Sequence, residues 1–245
     1  MDQQNTAPQN TPLTNLPVEP LTLDEVRDGI MIDELENDVR LRTIAREFRD
    51  GFEFIKQHKT HVHSVTFFGS TEFTEENEYY QAARNLAKRI SQELGYAVTT
   101  GGGPGIMEAA NRGAFEAGGR SYGICIDLPM GQVKNPYLTD SIELYYFFTR
   151  KVLMSFAASA YIYFPGGFGT LDEVFEILTL VQTSKIEPVP IIFFGESYWN
   201  SLERFIEDDL KQKYKTIAPT DTELYTITSN PDQVIDILKK SMPRE

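Results

Sequence analysis

Cysteine occurs once in the 245 residues, as Cys125, and histidine three times. A lone thiol excludes an internal disulfide framework and fits a reducing compartment. His61 and His63 alternate ahead of an apolar run, with no cysteine or carboxylate beside them to complete a metal set. They read as surface histidines, and no metal is expected. No Gly-Lys pair occurs anywhere, which rules out the usual phosphate loop of nucleotide triphosphatases. Basic residues are also short: 23 Lys and Arg stand against 36 Asp and Glu, a formal charge of −13. Affinity for nucleic acid comes mainly from neutralising phosphates, so a nucleic-acid partner is not expected. No apolar run approaches the ~18–20 residues of a membrane helix, and the polar N-terminus does not resemble a signal peptide. The expectation is a cytoplasmic protein with no membrane partner.

What is present is ordinary in bulk and particular in detail. An apolar content of 41% is enough for a compact core. Residues 1–20, rich in Gln, Asn, Thr and Pro, read as a disordered tail. Apolar residues at helical spacing from Thr22 to Gln57 read as a helical N-terminal extension over 21–60. The main domain then occupies 61–245. Within it, short β-branched and aromatic runs (Val65–Phe68, Tyr96–Thr100, Tyr122–Ile126, Ile142–Tyr146, Tyr161–Phe164, Val189–Phe194, Tyr225–Thr228) mostly alternate with helix-like segments. The clearest helices are predicted near 75–94, 106–117, 150–158, 171–182, 198–213 and 232–240. Continuously apolar strands with crossover helices indicate a Rossmann-like, doubly wound α/β fold: about seven parallel strands with helices on both faces.

In such sheets ligands sit at the carboxyl ends of the strands. Three segments reach that edge: Phe68-Gly69-Ser70, Gly101-Gly102-Gly103-Pro104-Gly105, and Pro165-Gly166-Gly167-Phe168-Gly169-Thr170. Glycine loops leading into helix N-termini leave backbone N–H groups free to meet an anion. Two such loops fit a phosphorylated nucleotide held between them, although glycine turns also serve tight packing. Thr170-Leu171-Asp172-Glu173 has the form of a helix capping box, as does Thr22-Leu23-Asp24-Glu25. Only the first follows a glycine loop, which would set the Glu173 carboxylate beside a phosphate-sized gap. Arg150 and Lys151 open the helix after the fourth strand, where the helix dipole disfavours cations unless an anion compensates. They are either surface charges or partners of an anionic ligand or of Glu173, and Lys151 is better placed to bind than to form a Schiff base. Cys125 reads as a buried structural thiol. Ser70 has no base beside it.

Phe147-Phe148-Thr149-Arg150-Lys151, followed by Pro165 to Glu173, resembles the Lonely-guy (LOG) family, with its Pro-Gly-Gly-x-Gly-Thr-x-x-Glu hallmark. Gly101 to Gly119 is similar to that family's second glycine motif, and the resemblance spans Val65 to Leu202. It implies a Rossmann-like homodimer or larger homo-oligomer that hydrolyses the N-glycosidic bond of nucleoside 5′-monophosphates, cytokinin ribotides or AMP, without a cofactor. Free base and ribose 5-phosphate are the implied products. By position, Arg150 and Glu173 correspond to the catalytic pair. Gly166, Gly167, Gly169 and Thr170 correspond to the phosphate site, and Gly69, Ser70, Gly103 and Met107 to the nucleotide lining. Gly102, Gly105 and Lys151 complete the expected binding set. A departure at residues 148–149, where plant-type members carry a Met-His-Glu-type run, bears on base preference. The alternative reading is a non-catalytic carrier or regulatory protein that binds a nucleotide or molybdenum cofactor, as the related molybdenum-cofactor carriers hold a phosphorylated ligand without turnover.

Overall fold

The computed structural model describes residues 39–59, 62–127 and 134–240. The expected tail over 1–20, residues 21–38 of the expected extension, and His61 lie outside the described residues. The chain divides into two compact units, 1–43 and 44–245, and the second carries the whole sheet and the glycine loops.

Seven strands form one wholly parallel sheet: β1 (Ser64–Phe68), β2 (Ala97–Thr100), β3 (Ser121–Ile126), β4 (Asp140–Leu144), β5 (Ala160–Tyr163), β6 (Ile191–Phe194) and β7 (Thr226–Thr228). Their spatial order is β4-β3-β2-β1-β5-β6-β7. The inner strands β1, β2, β3, β5 and β6 are buried along their whole length, while β4 and β7 at the edges are partly exposed. Burial on both faces is why the inner strands read as unbroken apolar runs rather than alternating ones.

The helices are α1 (Val39–Lys59), α2 (Glu78–Arg89), α3 (Ile106–Glu116), α4 (Phe147–Ala157), α5 (Phe168–Gln182), α6 (Glu196–Arg204) and α7 (Pro231–Lys240). Wider, π-type turns prolong α2 over Ile90–Leu94 and α6 over Phe205–Lys213. One core packs α2, α3 and α7 against Val65, Phe67, Ile162 and Ile192. The other packs α4, α5 and α6 against Tyr161, Tyr163, Ile191 and Phe193, with Phe54 and Ile55 of α1 at its margin. Successive residues of β5 and β6 thus feed opposite faces, as the strand period requires.

The winding direction reverses between β1 and β5. Connections from β1 run outward through β2 and β3 to β4, and the chain then returns to lie beside β1 and runs the other way. Loops leaving two such neighbours diverge and open a crevice at their carboxyl ends, the general ligand position of open α/β sheets. Both the Gly69-Ser70 turn and the Pro165–Thr170 loop leave from this point.

Two predicted helix starts move. α4 begins at Phe147 rather than Arg150, because β4 ends at Leu144 and the aromatic run that reads as strand already turns helical. α5 begins at Phe168 rather than Leu171, with Gly167 in extended backbone as its N-cap.

Candidate active site

The three glycine-bearing loops are tied into one structure by their backbones. Ser70 N–H donates to Pro165 O (2.9 Å), and Ser70 O accepts from Ile106 N–H at the head of α3 (2.9 Å). Ser70 therefore bridges the loops after β1, β2 and β5, and its hydroxyl accepts from Glu72 N–H (3.1 Å). A Cβ on Gly105, which has φ +69°, would overlap Ser70 O, so this position must be glycine for the loops to meet. A Cβ on Gly166 would strike the Thr170 hydroxyl, and one on Gly69 would strike Ile106. Gly167 and Gly169 differ. A Cβ on either would meet nothing within 4 Å, so packing within the chain does not explain these two glycines.

A buried amide cluster stiffens the loop after β2. Asn135 Nδ2 donates to Gly103 O (3.0 Å) and to Asn111 Oδ1 (3.0 Å), and Asn135 N–H donates to Gly102 O (2.9 Å). The Thr100 hydroxyl donates to Asn111 Oδ1 (2.6 Å) and accepts from Gly102 N–H (2.9 Å). Asn111 and Asn135 are buried and, with these bonds, fix the carbonyls on the inner side of the loop. Sequence reasoning passed over both. An asparagine among the apolar positions of α3 was the available signal for Asn111.

Gly101 forms the floor under Arg150: a Cβ there would overlap the guanidinium and crowd Met107 Sδ. Arg150 Nε donates to Ile124 O (3.0 Å). Burial weighs against its charge while Glu173 and the Cys125 thiol favour it, and a guanidinium remains cationic under such opposing pressures. Cys125 lies beside it, with burial pushing the thiol up and Lys134 and Arg150 pulling it down.

Glu173 sits in α5, 9% exposed. Burial pushes its carboxyl up to about 7; Lys151 pulls it down, Glu176 pushes it up, and Arg150 pulls it down. Lys151 Nζ lies 2.6 Å from Asp172 Oδ2, 3.0 Å from Glu176 Oε2 and 3.7 Å from Glu173 Oε1. Although burial penalises this ammonium, the three carboxylates together outweigh it and raise its proton affinity. Lys151 thus orients acids here rather than facing outward as a lone cation. Glu176 was not anticipated, though its place one helical turn after Glu173 is readable as a shared face.

The capping-box reading of Thr170 and Glu173 does not hold. Thr170 is already inside α5, and its N–H and that of Leu171 both go to Gly167 O (3.0 and 3.1 Å). No side chain caps the helix. Glu173 therefore caps nothing and faces the lysine and its acidic neighbours. By helix geometry the N–H groups of Phe168 and Gly169 have no intrahelical acceptor, which leaves a pair of donors beside the two glycines that packing does not require. Arg150, Gly101 and Met107 thus meet at the carboxyl ends of β2 and β3, while the head of α5, the helix that carries Glu173, follows the loop that leaves β5 beside β1. Among the described residues, no group of His, Cys, Asp and Glu is suited to a metal ion, and no helix is long and apolar enough to cross a membrane.

Comparison with known proteins bears on the fold and the family. Residues 107–238 match the family model described as "Possible lysine decarboxylase". The chain is 24% identical to the probable cytokinin riboside 5′-monophosphate phosphoribohydrolase LOG6 of Arabidopsis thaliana, over 78% of this chain and 95% of that one. Against LOG2 of the same plant, a cytokinin riboside 5′-monophosphate phosphoribohydrolase, it is 22% identical over 78% and 89%. Among solved structures, the molybdenum cofactor binding protein of Rippkaea orientalis superposes with a TM-score of 0.56, at 22% identity over 74% of this chain and 97% of that one. The molybdenum cofactor carrier protein of Chlamydomonas reinhardtii gives 0.53, at 20% identity over 74% and 98%. With the model spanning more than half of its length, the chain belongs to the possible lysine decarboxylase family, the LOG family.

Proposed function

We propose that the protein hydrolyses the N-glycosidic bond of nucleoside 5′-monophosphates, AMP or cytokinin ribotides, to free base and ribose 5-phosphate. The observation that carries this reading is the buried Glu173 carboxyl, poised near neutrality beside an uncapped, glycine-opened helix head at the switch point of the sheet. The amides of Phe168 and Gly169 and the positive end of α5 hold the 5′-phosphate, with Gly167 and Gly169 leaving room for its oxygens. Thr170, one position on, lies at the same helix head. The nucleotide lies over Gly69, Gly103 and Met107.

Breaking the bond between C1′ and the base builds positive charge on the ribose, as in glycoside hydrolysis. Ionised Glu173 stabilises that charge and orients the attacking water or the ribose hydroxyls. Arg150, which cannot serve as a general acid, stabilises charge on the departing base by hydrogen bonding. Water adds its hydroxyl to C1′, and its remaining proton leaves with the base. Lysine decarboxylation, which the family's description names, needs a neutral amine for a Schiff base. Lys151, beside the loops, is held protonated by three carboxylates and does not fit that task.

A carrier reading draws support from the fold shared with the molybdenum-cofactor proteins. The test is incubation with a panel of nucleoside monophosphates and detection of free base and ribose 5-phosphate. Release of both in equal amounts supports the hydrolase; tight binding without product overturns it in favour of the carrier. We also propose a homodimer or larger homo-oligomer. Its support is the exposed aromatic run Tyr145, Phe147 and Phe148 at the head of α4, a type of surface that soluble monomers rarely leave uncovered. Light scattering at the mass of a single chain would refute it.

A further inference from the structure

α4, which carries Arg150, has no cap of its own. Its N-cap Tyr146 is in extended backbone and makes no side-chain capping bond. An acceptor for the turn that leads into α4 arrives instead from α1, a segment outside the family match. Glu47 Oε1 accepts from Tyr145 N–H (2.6 Å), and Glu47 Oε2 accepts from Tyr146 N–H (3.3 Å) and lies 2.6 Å from the hydroxyl of buried Thr149. One carboxylate therefore ties down the three residues leading to Arg150, at a helix end where negative charge is favoured and two adjacent cations need compensation. One turn further along α1, Gly51 lets the helices close together, since a Cβ there would run into the Leu153 methyls of α4. Phe52 meets Phe156 edge-on with ring centroids 5.7 Å apart. The docking is thus a built contact, with Glu47 at its polar end.

We infer that Glu47 is a positioning residue: by clamping the β4–α4 turn from outside the α/β core, it sets where Arg150 lies above Gly101. The inference rests on the hydrolase reading for its kinetic consequence, but its structural part can be read separately. Arg150 Nε is bonded to Ile124 O, the residue before Cys125, and Cys125, the only thiol in the chain, is 3% exposed, so its labelling rate reports whether this end of β3 stays closed when Arg150 shifts.

Glu47→Ala should lower kcat for AMP by about ten- to a hundredfold, the range that small misplacements of a reacting group produce, with KM moving less than about threefold. Glu47→Gln keeps an acceptor for Tyr145 N–H and a donor toward the Thr149 hydroxyl and loses only the longer bond to Tyr146 N–H, so it should stay within about threefold of wild type in kcat. In an Arg150→Ala background, Glu47→Ala should add less than about twofold, because its effect passes through Arg150. Cys125 should react faster with dithionitrobenzoate in Glu47→Ala than in wild type, and at the wild-type rate in Glu47→Gln. Should Glu47→Ala not fold, Glu47→Asp, one methylene shorter, should show the same pattern more weakly. An equal kcat loss with and without Arg150, or wild-type Cys125 labelling in the alanine and aspartate variants, overturns the proposal. If wild-type protein releases no base from any monophosphate, the hydrolase reading fails, and the labelling rates alone then decide the positioning role.

Discussion

Lys151 Nζ stands 3.7 Å from Glu173 Oε1, while its shorter ion pairs go to Asp172 and Glu176. The lysine therefore pulls on Glu173 electrostatically while closer carboxylates share its charge. Burial, the largest influence, leaves the acid at about 7. If ionised Glu173 does the work, kcat should rise with pH through about 7. Removing the cation with Lys151→Met should move that limb to higher pH, and removing the like charge with Glu176→Gln should move it lower. Rate profiles in saturating AMP check both signs; a limb that stays in place in both variants would dissociate Glu173 from it.

The same shift has a stability counterpart of opposite use. An acid whose folded value lies above its unfolded one, near 4.5, favours the native state fully below that lower value. The benefit is lost as pH rises toward 7. Glu173→Gln, which cannot ionise, should therefore be more stable than wild type at pH 8, on the order of 1–3 kcal/mol. That advantage should vanish near pH 4.5. Turnover of AMP should meanwhile fall by orders of magnitude with binding largely retained. Urea melts at the two pH values, alongside a turnover assay, test the trade; equal stability at pH 8 would mean that the buried carboxylate costs the fold nothing.

The two classes of glycine in the Pro165–Thr170 loop should separate by phenotype. Gly166→Ala places a methyl against the Thr170 hydroxyl and the Ser70 amide, and should destabilise the fold. Gly169→Ala meets open space within a helix, where alanine gains about 0.5–1 kcal/mol over glycine. It should melt at or above the wild-type temperature yet bind AMP at least about tenfold more weakly, because the methyl takes the room of a phosphate oxygen. Calorimetry of unfolding and of AMP binding reads both. Unimpaired AMP affinity in Gly169→Ala would remove the phosphate from this helix head.

Much of this architecture is legible without coordinates, for a physical reason. Strands buried on both faces, such as Ser64–Phe68 and Ile191–Phe194, are built mainly of β-branched and aromatic residues with few polar ones, and so they stand out. The start of α5 was misplaced because its N-cap is Gly167, which leaves no side-chain signature, while Thr170 to Glu173 mimics one. Tyr145 and Tyr146 read as the end of a strand because nothing local says that their amides are held by Glu47, 99 residues before Tyr146. Glu173 and Arg150 are singled out by motif and helix position. That Glu176 shares a face of α5 with Glu173 needed only a helical-wheel reading that spacing already permitted, whereas the engagement of Lys151 with Glu176 joins two helices. Asn135 lies in a segment with no periodicity, and its role depends wholly on contacts distant in sequence.

Asn135 supplies the final test, because it touches the loop and not the expected chemistry. Its side chain donates to Gly103 O and Asn111 Oδ1 and accepts from Tyr137 N–H (3.2 Å), all in or near the buried interior. Asn135→Ala strands the Gly103 carbonyl without that donor and should cost about 1–3 kcal/mol, the penalty of an unsatisfied buried polar group. Asn135→Asp keeps the acceptor for Tyr137 but turns a donor into a second acceptor against Gly103 O and Asn111 Oδ1, so it should be worse than alanine at neutral pH. Lowering the pH to protonate the new acid should recover part of the loss. In both variants a loosened Gly102–Gly103 turn should raise KM for AMP more than it lowers kcat, since the loop lines the nucleotide and Glu173 is untouched. Denaturant melts at two pH values and a KM–kcat comparison read these outcomes, and an aspartate variant as stable as wild type at neutral pH would show that Asn135 does not hold the loop through donation.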